Sequence, residues 1–234
     1  MQEEHIAEII SETAAYVRRT LEHDSSGHDW WHIARVVTLA ETIAAHEVDS
    51  DLLVIRLAAL LHDIADWKFH GGDLEAGPRV AREWLIRCPL SPTRIDHICA
   101  IIHDISFKGA GTATPMQTRE GMIVQDADRL DAIGAIGIAR AFAYGGHKGR
   151  PLYDPTISPE LHATFAQYGT SQGTTFNHFY EKLLLVKDRM NTPMAKTIAA
   201  QRHDYMLDFL AHFIAEWDGH DIGTVADPAR PAIQ

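Results

Sequence analysis

From Asp51 to His62 the chain reads DLLVIRLAALLH, apolar on nearly every side of a helix. A helix without a polar face cannot lie on a surface and has to be surrounded by other helices. The run therefore predicts a bundle built around a central helix. It ends in a polar pair, His62 and Asp63, with Asp66 three residues further on. A carboxylate buried in apolar surroundings costs several kcal/mol unless it is paired or bound to a cation. Consecutive helical side chains point about 100° apart and can still converge on one cation from adjacent positions. A lone buried histidine would need only a hydrogen bond, so the pair by itself leaves both readings open.

Helical periodicity dominates the rest of the chain. After His32, the residues Ile33, Val36, Val37, Ala40 and Ile43 recur at three- and four-residue steps, with Ser25, Ser26 and Gly27 as the N-cap and His32 on the border of the stripe. Further helical patterns cover about 2–22, 73–87, 92–104, 117–143, 173–190 and 194–217. The last carries the stripe Met206, Phe209, Leu210, Phe213 and Trp217. Hairpin dipeptides between alternating residues are missing, and so are β-branched runs bounded by turns. The expected class is all-α: one helical domain over 1–234, its core at about 25–217 and a fraying tail at about 221–234. YGGHKGRPLYDPTISPE is the longest irregular stretch and reads as a functional loop within one bundle.

Charge and cysteine usage exclude several classes. Lys and Arg total 21 against 32 Asp and Glu, a net charge of −11 that does not suit a nucleic-acid polymer. A small anionic substrate stays compatible, because a metal or a few basic side chains can reverse the field locally. Two cysteines without a CxxC spacing fit a reduced compartment. The N-terminus MQEEHIAEII is acidic where a signal peptide is basic, and no apolar run approaches the roughly 20 residues of a membrane helix. A cytoplasmic protein, acting away from membranes, is expected.

Fifteen histidines are many, and spacing decides which of them matter. GHDWWHIARV places His32 early in its amphipathic helix. IVQDADRLDAIGAIGIAR puts Asp126, Asp128 and Asp131 inside a strongly apolar helix, although Asp is a poor interior helix former. A metal ligand with supporting partners is one reason for such a cluster. Gly134 and Gly137, three apart on the same helix, would let another helix approach closely.

A His, then a His-Asp pair, then a distant Asp in an all-helical chain resembles the HD superfamily of metal-dependent phosphohydrolases. GHDWWHIARV, LAALLHDIAD, QDADRLDAIGAIGIAR and FNHFYEKLLL together resemble its bacterial single-domain subgroup, which includes nucleotide pyrophosphatases, over roughly 25–217. The resemblance implies that His32, His62, Asp63 and Asp128 ligate one divalent cation. Asp128 is chosen because ADRL aligns best with the family's last ligand, with Asp126 and Asp131 as the alternatives. Mixed imidazole and carboxylate ligands suit Mn, Fe, Co, Ni or Zn, and Mg also enters. Such an ion lowers the pKa of its water and neutralises a phosphoryl oxygen.

Asp63 and Asp66 are the expected catalytic carboxylates. In related nucleotidases a Glu at the position of Asp66 handles the proton of the attacking water. Phosphate recognition needs cations or backbone amides, and the candidates are Arg35, Lys108, Arg129, Lys148 and Arg150. Asn177, His178 and Lys182 belong to a block that the family also carries. His97 and His103 fall where two-metal relatives hold extra ligands, but one metal is expected here.

The expected reaction turns (deoxy)nucleoside triphosphates into monophosphate and pyrophosphate. The alternatives are a 5′-nucleotidase, a cyclic-nucleotide or alarmone phosphohydrolase, and, more distantly, a non-catalytic sensing domain. The chain would act as a monomer or homodimer on a small nucleotide. HDWWH also sits one residue type away from the H-E-x-x-H zinc-protease motif. That reading leaves His62 and Asp63 unexplained.

Overall fold

The computed structural model describes residues 3–22, 29–65, 73–105, 114–161 and 173–221. In chain order the helices are α1 (Glu3–Leu21), α2 (Trp30–Ala44), α3 (Leu52–Leu61), α4 (Ala76–Leu85), α5 (Pro92–Asp104) and α6 (Arg119–Asp131). They continue with α7 (Gly134–His147), α8 (Thr175–Glu181), a 3-10 helix over Leu183–Arg189 and α9 (Pro193–Trp217). No strand occurs among the described residues, and the fold is all-α. Among the described residues, no helix is long and apolar enough to cross a membrane.

The apolar run becomes the central helix that its pattern demands. Asp51 caps α3 by accepting from the backbone N–H groups of Leu53 and Val54 at 3.1 and 3.3 Å. Every residue of α3 except Leu52 and Arg56 is buried, and the helix packs against α1, α2, α5 and α6. Arg56 escapes the core by pairing with Glu41 of α2 at 2.5 Å. Each large apolar side chain buried in this way contributes about 1.5–3 kcal/mol. α2 packs on both α3 and α6. The start of α2 and the ends of α3 and α6 carry the motif residues, so the packing of these three helices gathers distant sequence into one place.

Several boundaries differ from those read in the sequence. The helix expected over 117–143 is two helices, broken at Ala132 and Ile133, where α7 starts at Gly134 with φ +78°. Gly134 and Gly137 therefore do not share a helix with the aspartates. A Cβ on Gly134 would meet the Arg202 side chain of α9 at 2.9 Å, so close approach is real there. A Cβ on Gly137 would lie 2.3 Å from the Ala132 carbonyl oxygen, so this glycine permits the break itself. α7 runs on to His147 and absorbs the first residues of the expected loop. The pattern over 173–190 splits into α8 and the 3-10 helix.

The cap of α2 is Asp29, whose carboxylate accepts from the His32 backbone N–H at 3.0 Å. Ser25, Ser26 and Gly27 lie outside the described residues, as does the tail from 222 onward.

Candidate metal centre

His32 stands on the first turn of α2, fully buried rather than on the border of the stripe. Its Nδ1 lies 2.7 Å from Asp131 Oδ2. His62 directly follows α3, and its Nδ1 lies 2.9 Å from the Ala59 carbonyl oxygen. A carboxylate and a carbonyl only accept, so both Nδ1 atoms carry the proton and both Nε2 lone pairs face inward. The two Nε2 atoms are 3.2 Å apart. Asp63 Oδ2 lies 3.4 Å from His32 Nε2 and 3.5 Å from His62 Nε2. From α6, Asp128 Oδ1 lies 3.5 and 3.8 Å from the same two nitrogens.

Four acceptor atoms from three helices thus converge on one point. Such a set is self-repelling unless a positive charge sits among them. The spacing suits a metal. Two donors each about 2.1 Å from an ion, at tetrahedral or octahedral angles, are separated by roughly 3.0–3.4 Å. His32, His62 and Asp63 offer ligand atoms that all lie within 4.8 Å of one another, a mixed imidazole–carboxylate group that could hold a divalent ion, and Asp128 Oδ1 lies beside both histidines. The same field acts on protons. Burial disfavours a charged imidazole at His32, but hydrogen bonds to Asp131 and Asp63 outweigh it and raise its pKa to about 9.

The three aspartates of α6 have three different surroundings. Asp126 is fully buried and accepts from the backbone and side chains of Asn191 and Thr192 at 2.8–3.1 Å, tying α6 to the start of α9. Burial lifts its pKa above the ordinary value although all these bonds oppose the shift. Asp128, two residues on, faces the histidines. Asp131 touches the outer nitrogen of His32 and accepts from Arg35 Nε at 2.6 Å and from Arg140 Nη1 at 2.7 Å. Burial would raise the Asp131 pKa, but His32, Arg35 and Arg140 together hold it well below the usual carboxylate range.

The other named residues scatter. Arg35 is half-exposed and bound to Asp131 through Nε and Nη2. Arg129 is buried and spends its guanidinium on the Arg189 carbonyl oxygen and on Thr114 Oγ1. Lys148 and Arg150 flank the Tyr144 ring at 5.6 and 5.9 Å. Asn177 is buried and donates from Nδ2 to the Ile157 carbonyl oxygen at 2.8 Å. His178 and Lys182 are half-buried on and just after α8. Asp66 and Lys108 lie outside the described residues, as does His28 of the HDWWH segment.

Elsewhere, His97 bonds Thr118 Oγ1 at 2.9 Å. His103 sits between Asp104 and Glu75 at 2.7 and 3.3 Å. Neither joins the cluster. Arg140 escaped the sequence reading, and the close pair Gly134 and Gly137 was the signal that the helix turns back before it.

The HD domain model matches residues 30–133, the stretch that holds all four convergent side chains. Over 210 residues the chain is 38% identical to the uncharacterised protein YpgQ of Bacillus subtilis, covering 89% of this chain and 94% of YpgQ. A solved Lactobacillus plantarum protein superposes with a TM-score of 0.78 at 39% identity, covering 94% of this chain and 99% of its own. A Bacillus thuringiensis HD-superfamily hydrolase gives 0.71 at 42% identity, with 91% and 98% covered. YpgQ solved in complex with ADP gives 0.69 at 34% identity, with 88% and 97% covered. Likeness of this extent, with the paired histidines and aspartates gathered where the family model lies, places the chain in the HD superfamily of metal-dependent phosphohydrolases.

Proposed function

We propose that the chain hydrolyses nucleoside and deoxynucleoside triphosphates to the monophosphate and pyrophosphate. The observation that carries the reading is the convergence of His32, His62, Asp63 and Asp128 on one point. YpgQ, a relative over most of the chain, was solved in complex with ADP, which supports a nucleotide as the substrate here. The four side chains would hold one divalent cation, and Mn is among the ions that such a set suits. When bound, it supplies a lowered water pKa and a positive charge for a phosphoryl oxygen.

The chain's own residues do the rest. Hydrogen bonds at both Nδ1 atoms keep the imidazoles in the tautomer that turns Nε2 inward. Asp131 occupies Nε and Nη2 of Arg35 and leaves Nη1 for a phosphate oxygen. This reading takes its further substrate contacts from Lys108, Lys148, Arg150, His178 and Lys182, whereas the guanidinium of Arg129 and the amide of Asn177 are already bonded within the fold. The water oxygen bonds to the α phosphorus while the bond from that phosphorus to the α–β bridging oxygen breaks. Pyrophosphate leaves with the electron pair, and Asp66 takes the proton of the water. Free cysteines at 88 and 99 support a reducing, cytoplasmic setting.

A phosphorus NMR time course with Mn²⁺ over nucleoside mono-, di- and triphosphates tests the proposal. Pyrophosphate appearing from triphosphates, and only with intact Asp63, is the expected result. Orthophosphate from monophosphates would make the chain a 5′-nucleotidase. Silence with metal bound would turn attention to cyclic or alarmone substrates, or to a sensing role.

A further inference from the structure

Asp131 and Arg140 are nine residues apart. On an unbroken helix they would sit on opposite faces, about 13.5 Å apart along the axis. Here the chain turns at Ala132 and Ile133, starts α7 at Gly134 with φ +78°, and brings Arg140 Nη1 to 2.7 Å from Asp131 Oδ2. Gly137 is part of this turn, because any Cβ there would collide with the Ala132 carbonyl oxygen at 2.3 Å. The oxygen that Arg140 reaches also takes the His32 Nδ1 hydrogen bond at 2.7 Å and one from Arg35 Nη2 at 3.0 Å.

We propose that Arg140 is a positioning residue for the metal centre, acting through Asp131 on the orientation of His32, and that the α6–α7 break is what delivers it. His32 and Arg35 both belong to α2, so a shift of α2 would carry the Asp131 carboxylate with it. Arg140 comes from a different helix and ties the same oxygen to the corner between α6 and α7. The His32 ring is then held from two directions, with Nε2 aimed at the point that His62, Asp63 and Asp128 share. Arg140 is 22% exposed at its side chain, and Gln keeps much of the aliphatic stem that the fold covers.

This inference rests on the metal-centre reading, and its test separates the two. Mn²⁺ is titrated into the full chain and free Mn²⁺ is read by electron paramagnetic resonance. Helix content is checked by circular dichroism at the same temperature. Wild-type protein that binds no Mn²⁺ overturns the metal reading before any variant is considered. Arg140→Gln is expected to weaken Mn²⁺ binding about tenfold, the lower end of what outer partners of a ligand contribute. Arg140→Lys recovers part of that loss. Gly137→Ala reproduces it with Arg140 intact, because it displaces the helix that carries the guanidinium. Wild-type Mn²⁺ affinity in folded Arg140→Gln overturns the positioning role. Wild-type affinity in folded Gly137→Ala overturns the part assigned to the break. Where Arg140→Gln fails to fold, Arg140→Met is read instead, and wild-type affinity in it is equally fatal.

Discussion

The two halves of this bundle are built from different materials. Around α3 the core is aliphatic, with Val36, Ile43, Ile55, Leu57, Leu61, Ile98 and Ile123 all buried. Rings are scarce there, and the Tyr16–Trp84 stack at 4.3 Å lies beside α1 and α4. Around α7, α8 and α9 the packing is aromatic. Phe142, Tyr153, Phe176, Phe179, Phe209, Phe213 and Trp217 touch in a chain with centroids 4.6–6.2 Å apart. Most of the buried charge follows the first kind of packing, with Glu181 of α8 the buried carboxylate of the second. His32, His62 and Asp131 are buried among the aliphatic helices, each with short, directed hydrogen bonds.

Aliphatic packing sets the low dielectric that gives those bonds their strength, and it leaves room for helix ends to meet. Rings instead contribute large buried area and offset or edge-on contacts worth about 0.5–1.5 kcal/mol each beyond that area. The four convergent side chains sit in the aliphatic half, while Lys148, Arg150, His178 and Lys182 of the proposed substrate contacts lie on or beside the aromatic one. α6 joins them, through Asp126 to α9 and through Asp128 and Asp131 to α2.

The contrast is broken most forcefully at Asp63. Asp63→Ala removes a carboxylate from the metal cluster, and turnover of triphosphate followed by phosphorus NMR should fall by a factor on the order of 10³. Melting measured without added metal should barely move, because the side chain is not part of the apolar core. Wild-type turnover in this variant would sink the assignment of chemistry to the aliphatic half.

Phe179→Ala should do the reverse. Phe179 is fully buried against Phe142 and Phe209, so the cavity costs about 3–5 kcal/mol. Chemical denaturation should show that loss, while folded protein at low temperature keeps its turnover per molecule. A collapse of kcat in the folded variant would show that the halves are not separable.

Metal sharpens the same point. Mn²⁺ at a hundred times its Kd should raise unfolding free energy by about 2.7 kcal/mol in both wild type and Phe179→Ala. His62→Ala should show no such rise. A stabilisation that persists without His62 would place the ion elsewhere.

The joint between the halves gives a smaller effect. Asp126→Asn leaves Asn191 and Thr192 facing a weaker acceptor, and unfolding free energy should drop by about 1–3 kcal/mol. Mn²⁺ affinity should stay at the wild-type value. An affinity loss comparable to that of Asp128→Asn would mean that the roles of the two aspartates are not distinct.

Much of this was legible in the residues themselves. The run from Asp51 to His62 reads as a central helix, because nearly every side of it is apolar. Three- and four-residue periodicity located most of the helices, and α5 falls on the expected 92–104. The order His32, His62-Asp63, Asp128 was visible as a motif. The split of 117–143 was not visible in the same way. Periodicity is a local property, and the helical pattern continues across Ala132 and Ile133 after the backbone has turned. The surroundings of Asp126, Asp128 and Asp131 were equally hidden, since all three read as one acidic cluster on an apolar helix.

Sequence alone determined the helical class, the buried helix ending in a histidine and an aspartate, and the residue types able to hold a cation. Tertiary structure decided which of those residues meet. His32 touches His62 across 30 residues and Asp131 across 99. Contacts at such separations follow from how helices pack and where they break, and neighbours along the chain do not encode that directly. Arg140 shows the rule most plainly, because one sharp turn between α6 and α7 converts a residue from the opposite helical face into a partner of Asp131.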